Sequence, residues 1–144
     1  MSETIKNSIS LEEIYKAQQS IKGVVQATPL VFMKNFSEYY NANIYFKRED
    51  LQVVRSYKIR GAYNKIQGLS KEQLQNGIVC ASAGNHAQGV AFACEKLEVH
   101  GTVFMPVTSP LQKIDHTTKD DIFNPSGFIF TNNEGNLVIA LPDV

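Results

Sequence analysis

The chain has 144 residues, 43% of them hydrophobic and 19% charged, with 14 basic side chains balancing 14 acidic ones. That is enough apolar material for one buried core, and the even charge balance gives no basic field of the kind that binds nucleic acid. No apolar run is long enough to span a membrane, and the polar start from Met1 to Ser10 lacks the apolar centre of a signal peptide, so a cytoplasmic protein with neither nucleic-acid nor membrane partners is expected.

Ser10 with Glu13 forms a capping-box pattern for a first helix that should run to about Lys22 before Gly23 stops it. Residues near Ile44 to Phe46, Ile78 to Ala81 and Thr102 to Met105 read as strands. Helical spacing appears near 57–67, 70–75 and 86–97. This alternation predicts an α/β fold, an open and mostly parallel sheet with helices on both faces, whose ligands bind beyond the strand carboxyl ends. Further on, Phe128-Ile129-Phe130 and Leu137 to Leu141 flank the polar stretch Asn132 to Asn136, a pattern that predicts a β-hairpin. Tyr15, Tyr39, Tyr40, Phe32 and Phe36 are expected to serve in packing.

Two stretches carry chemistry. In Ser56-Tyr57-Lys58-Ile59-Arg60-Gly61-Ala62-Tyr63, Lys58 follows a short polar turn and opens a helical segment, where the positive helix end favours a neutral amine and attracts an anion. Such a placed lysine suits capture of an aldehyde cofactor. In Ser82-Ala83-Gly84-Asn85-His86-Ala87-Gln88-Gly89, small residues at a strand-to-helix turn let the backbone approach a ligand, and amides with the Ser82 hydroxyl face an anion. Taken singly, Lys58 reads as a solvated lysine, Asn85 as a helix cap or left-handed turn residue, and His86 as a side chain packed against the sheet.

The ordered succession of these stretches resembles the fold type II pyridoxal phosphate enzymes, and within them the biosynthetic threonine dehydratases. Ala27-Thr28-Pro29-Leu30, Ile44 to Gln52, Val103-Phe104-Met105-Pro106 and Gln112-Lys113 fall in the same family order, so the likeness covers roughly residues 10–115. The resemblance implies a pyridoxal 5'-phosphate cofactor and a small amino-acid substrate. It makes Lys58 the Schiff-base lysine and the proton carrier at the substrate alpha carbon. It assigns Asn85 to the cofactor's phenolic oxygen, and Ser82 with the backbone from Gly84 through Asn85 and His86 to Ala87 to the substrate carboxylate. The implied reaction is beta elimination, giving ammonia with 2-oxobutanoate from threonine or pyruvate from serine. Serine racemases of this family carry a serine where this chain has Ala83, which has no proton to give, so racemisation is disfavoured. His86-Ala87-Gln88 likewise resembles dehydratases more than cysteine synthases, whose turn has a threonine after the asparagine.

After Lys113-Ile114-Asp115 the likeness stops. Residues 1–115 are therefore read as the N-terminal part of a dehydratase catalytic domain and residues 116–144 as a divergent tail, of the kind a truncated or frame-shifted gene product would carry. The family's glycine-rich phosphate loop and ring-nitrogen contact have no counterpart in the chain, which implies weakened cofactor binding. Two readings follow: a dehydratase whose activity requires further segments, or a noncatalytic fragment that associates with a full-length relative. A homo-oligomer is expected in the first case. Cys80 and Cys94 fall on apolar positions and read as structural free thiols, and with His86, His100 and His116 scattered no metal or redox site is expected.

Overall fold

The computed structural model describes residues 9–106, 128–131 and 137–140. Gln112, Lys113, His116, the boundary at residue 115 and the polar stretch Asn132 to Asn136 lie outside them.

The first helix, α1 (Leu11–Ser20), opens on the expected capping box: the Ser10 hydroxyl accepts the Glu13 amide at 3.2 Å, and the Glu13 carboxylate accepts the Ser10 amide at 2.7 Å. These two bonds satisfy amides that a helix start leaves without partners. The helix ends slightly earlier than the sequence suggests, and Gly23 takes φ +82° in the turn beyond, a conformation that an L side chain rarely adopts. Ser20 ties α1 to the third helix through a hydrogen bond to the Asn64 side chain.

A short antiparallel pair follows, β1 (Leu30–Phe32) and β2 (Tyr45–Lys47), with α2 (Lys34–Tyr40) between them. The strand expected near Ile44 thus belongs to a separate two-stranded sheet and not to the parallel one. The reason is the return path: α2 ends on Asn41 in the left-handed conformation, φ 48°, and sends the chain back beside β1. Phe32 and Tyr45 are register partners whose rings meet edge-on at 5.3 Å, and Phe36 lies 5.3 Å from Phe46, so cross-strand aromatic contact fixes this register.

The main sheet holds β3 (Ile78–Ala81), β4 (Gly101–Pro106), β5 (Phe128–Thr131) and β6 (Leu137–Ala140) in that order. β3 with β4 and β4 with β5 are parallel; β5 with β6 are antiparallel, the pairing expected of the hairpin. The sheet is mostly parallel, as the alternation of elements predicts.

The core is built on α5 (Asn85–Lys96), the crossover between β3 and β4. Every residue from Ala87 to Cys94 is buried, as in a helix enclosed on all sides. On the sheet side Ala87 packs with Val103 and Met105. On the other side Val90, Ala91, Ala93 and Cys94 meet Ala62, Tyr63 and Ile66 of α3 (Lys58–Gln67). Each large aliphatic side chain buried there contributes about 1.5–3 kcal/mol. A short helix, α4 (Lys71–Gln75), leads into β3 from a second capping box, Ser70 with Gln73.

Helices were expected on both faces of the sheet. Among the described residues α5 covers one face of β3; Val79, which alternates to the other face, is 65% exposed. The aromatic residues expected to pack are also largely open: Tyr39 is 82% exposed and contacts Tyr40, their rings 4.8 Å apart. No described helix is long and apolar enough to cross a membrane.

Candidate cofactor and substrate site

The approach to Lys58 alternates strictly. Gln52, Val54 and Ser56 are buried while Val53, Arg55 and Tyr57 are exposed. Arg55 then takes φ 55°, uncommon for a residue with a side chain, and turns the chain into α3. Lys58 is the first residue of that helix, half-buried, with its amine 5.4 Å from the centroid of the exposed Tyr57 ring. Ser56 is 5% exposed, and its hydroxyl has no hydrogen-bond partner.

The second stretch begins where β3 ends. The Ser82 amide donates to the Phe104 carbonyl at 2.9 Å, so the turn hangs from β4 at the carboxyl edge of the parallel strands. The Gly84 amide donates to the Ser82 hydroxyl at 3.3 Å, which leaves the Ser82 O–H proton to point elsewhere. Gly84 caps α5 with no side-chain hydrogen bond to its first turn, and a Cβ at this glycine would meet nothing within 4 Å. The turn is therefore open on the side from which an anion would approach the helix end. Asn85 is the first helical residue and has no positive φ, so it is neither the cap nor a left-handed turn residue. His86 is exposed, which excludes its packing against the sheet. Ala87 is fully buried, backbone included, so the exposed part of the turn ends at Asn85 and His86.

Helix packing brings the two stretches together. An ideal Cβ at Gly89 would lie 3.0 Å from the Lys58 carbonyl carbon, 3.1 Å from its oxygen and 3.2 Å from the Ile59 nitrogen. Gly89 follows Asn85 by about one helical turn, so the N-terminal ends of α3 and α5 converge. Buried Ile59 and Phe92 pack in one cluster beside this contact.

The opposite side of α3 is clasped by charge. Arg60 grips Glu49 with two bonds of 2.8 and 2.7 Å and also donates to the Gln26 carbonyl at 3.0 Å. Glu49 takes a further hydrogen bond from Thr28 at 2.5 Å, and Gln52 bonds both the amide and the carbonyl of Gln26. The Arg60 guanidinium, helped by Thr28 and Gln52, holds the Glu49 carboxyl down to about 2. Thr28, Glu49, Gln52 and Arg60 lie in the stretches that carry the resemblance, but their pairing escaped the sequence reading because Glu49 and Arg60 share no helical or strand period. The Gly89 contact escaped it because a glycine within a helix carries no mark of what it touches.

Both cysteines are free, and burial raises both thiols, Cys94 to about 11. Among the described residues no cluster of histidine, cysteine and acidic side chains could hold a metal ion. Grooves of about 590 and 530 Å³ run along α1, both lined by Leu11 and Tyr15; the 590 Å³ groove reaches Arg60, Gly61 and Asn64 of α3, and Lys58 lines neither.

A half-buried lysine at a helix start, beside an uncapped turn of small residues, defines a class of site that captures an aldehyde and an anion together. The family model of pyridoxal-phosphate dependent enzymes matches residues 21–119, and the chain belongs to that family. It is 60% identical over 106 residues to the biosynthetic L-threonine dehydratase IlvA of Bacillus subtilis, an alignment covering 74% of this chain and 25% of that protein. Among solved structures, maize serine racemase superposes with a TM-score of 0.77 at 28% identity, covering 85% of this chain and 36% of that one. The processed threonine deaminase isoform 2 of Solanum lycopersicum gives 0.64 at 40% identity, covering 76% and 32%. The chain spans about a quarter of the length of the curated relatives it matches. The half-buried lysine at the start of α3 is of the chemistry that the aldehyde end of pyridoxal phosphate would need, and the turn open at Gly84 is of the kind that would admit a carboxylate.

Proposed function

We propose that this chain carries the lysine and the carboxylate-binding turn of an enzyme that eliminates water from threonine, or serine, to yield ammonia and a 2-oxo acid. The observation that carries the reading is the convergence of the α3 and α5 N-termini at Lys58 and Gly89. Pyridoxal phosphate, when bound, supplies an aldehyde for covalent capture of amines and a ring that spreads negative charge from the substrate alpha carbon.

The chain's own residues have distinct tasks in this proposal. The Ser82 hydroxyl and the exposed backbone at Asn85 and His86 would hold the substrate carboxylate at the positive end of α5. Lys58 would hold the aldehyde, and its amine, when free, would take the alpha proton. The beta hydroxyl departs with a proton as water, and a second water then replaces the nitrogen, so that threonine becomes 2-oxobutanoate plus ammonia. Asn85 would orient the cofactor through a hydrogen bond to its phenolic oxygen. Ala83 offers no proton to the opposite face of the alpha carbon, which supports elimination over racemisation although a serine racemase shares the fold. A cytoplasmic setting belongs to the proposal, supported by the biosynthetic relatives.

Reduction with borohydride in the presence of pyridoxal phosphate, followed by peptide mass mapping, tests the site. The label is expected on Lys58; equal labelling of Lys47, Lys65 or Lys113 would overturn the assignment. A second reading, a noncatalytic fragment that docks on a full-length relative, is favoured by the open apolar side chains of β1 and β2, with Leu30 63% and Tyr45 51% exposed. A visible absorption band from covalently held cofactor separates the readings, since a pure interaction fragment gives none.

A further inference from the structure

Where the start of α3 stands is set by its contact with α5 at Gly89. We infer that Gly89 is a positioning residue for Lys58: the missing side chain at position 89 fixes how deep the lysine sits against the carboxylate-binding turn. This rests on the reading of Lys58 as the aldehyde-capturing amine.

All three atoms nearest to a Cβ at position 89 are backbone atoms of Lys58 and Ile59, the closest at 3.0 Å. Backbone cannot swing aside as the end of a flexible side chain can, so a methyl group there must push the first turn of α3 away from α5. The turn has little room to retreat. Ile59, 1% exposed, is packed against Val54 and Phe92, and one residue further Arg60 is locked to Glu49 and to the Gln26 carbonyl. Lys58 is thus set between a steric stop on one side and a charged clasp on the other. Asn85 and the 82–87 turn ride on the same helix as the stop, so the stop converts helix packing into the spacing between amine and anion cradle. The buried small residues of α5 that face the rest of α3, such as Ala91 and Ala93, set general closeness; among the described glycines, Gly89 is the one where an added Cβ would meet the Lys58 backbone.

The test compares Gly89→Ala with Ile66→Val, a buried substitution in the same helix pair but two turns along α3 from Lys58. Folding is followed by far-ultraviolet circular dichroism and thermal midpoint. Lysine reactivity is followed in two ways: borohydride trapping with pyridoxal phosphate, and competitive acetylation of the cofactor-free chain by acetic anhydride, each mapped by peptide mass. Displacing the amine by a few tenths of an ångström is expected to lower trapping at Lys58 by about tenfold in Gly89→Ala. Its acetylation relative to Lys65 should change as well, while Ile66→Val loses thermal stability yet keeps the wild-type pattern. Wild-type labelling at Lys58 in folded Gly89→Ala overturns the inference alone, and so does an equal loss in Ile66→Val. Should Gly89→Ala not fold, Arg60→Lys loosens the same turn from its other side by giving up the two-pronged bond. Reduced Lys58 trapping in that variant supports the inference, and an unchanged pattern overturns it. Wild-type chain that shows no preference for Lys58 overturns the underlying site assignment and this inference with it.

Discussion

Replacing Glu49 by glutamine removes one negative charge and keeps the shape of the side chain, so it isolates the charged part of the clasp on α3. The Glu49 carboxyl is held down to about 2 from an ordinary 4.5, chiefly by the Arg60 hydrogen bonds. That shift corresponds to about 3 kcal/mol at about 1.4 kcal/mol per pH unit, and solvent around the partly open Arg60 reduces it to roughly 2 kcal/mol. The Glu49 side chain itself is 15% exposed and Arg60 31%, so the pair is neither fully screened nor deeply buried. Because the folded-state value is depressed, the stabilisation is complete above the unfolded value, near pH 4.5, and is lost as pH falls toward 2.

Urea unfolding at a series of pH values measures this directly. At pH 7 Glu49→Gln is expected to be less stable than wild type by roughly 2 kcal/mol, and the gap should close as pH falls from about 4.5 to 2. Other carboxylates titrate in the same window, but they do so in both proteins and cancel in the difference. A gap that stays constant down to pH 2, or no gap at pH 7, would refute the charge argument and leave Glu49 as a packing residue.

Three further outcomes are expected. Cys94, fully buried and pushed up to about 11, should react with a thiol reagent at pH 8 far more slowly than a free cysteine, and reaction at the free rate would show that its cluster opens readily. With Tyr39, Val79 and Leu30 each more than three-fifths exposed, the chain should self-associate in size-exclusion runs as concentration rises; a sharp monomer with a cooperative melt at every concentration counts against this. The 144-residue chain alone should convert threonine no faster than free pyridoxal phosphate does, and turnover of about 1 per second that Lys58→Ala abolishes would show that residues 116–144 supply what the resemblance places elsewhere.

Much of the architecture was legible because it is written in local chemistry. Ser10 with Glu13 marks a helix start whose bonds are both present, and the β-branched run at Ile78 ends at the small-residue turn as expected. β1 and α2 were not legible. A strand from Leu30 to Phe32 is too short to show a period of two, its residues are all exposed, and α2 buries only Ser37, so neither leaves an apolar stripe. The same cause explains the aromatic residues: Tyr39 and Tyr40 look like core side chains by type, yet they sit on a helix with no buried face of its own. For the proposed site, Lys58 and the 82–87 turn were chosen by composition and order, whereas their spacing could not be read. It depends on Gly89 meeting backbone that lies 31 positions earlier in the chain, a relation no local pattern encodes.

The likeness to both a threonine deaminase and a serine racemase follows from where the chemistry is stored. Helix packing sets the start of α3 against α5 at Gly89, and in the proposed function the amine and the anion cradle so placed would serve any reaction that begins by taking the alpha proton. The outcome is decided afterwards, by whether a second acid stands on the opposite face of the alpha carbon. Such a choice needs one side chain and no change of backbone, so global superposition is blind to it. In the function proposed above the position in question is Ala83, exposed in the turn and without a proton to give, so that reading favours loss of a beta hydroxyl as water over return of a proton to the opposite face.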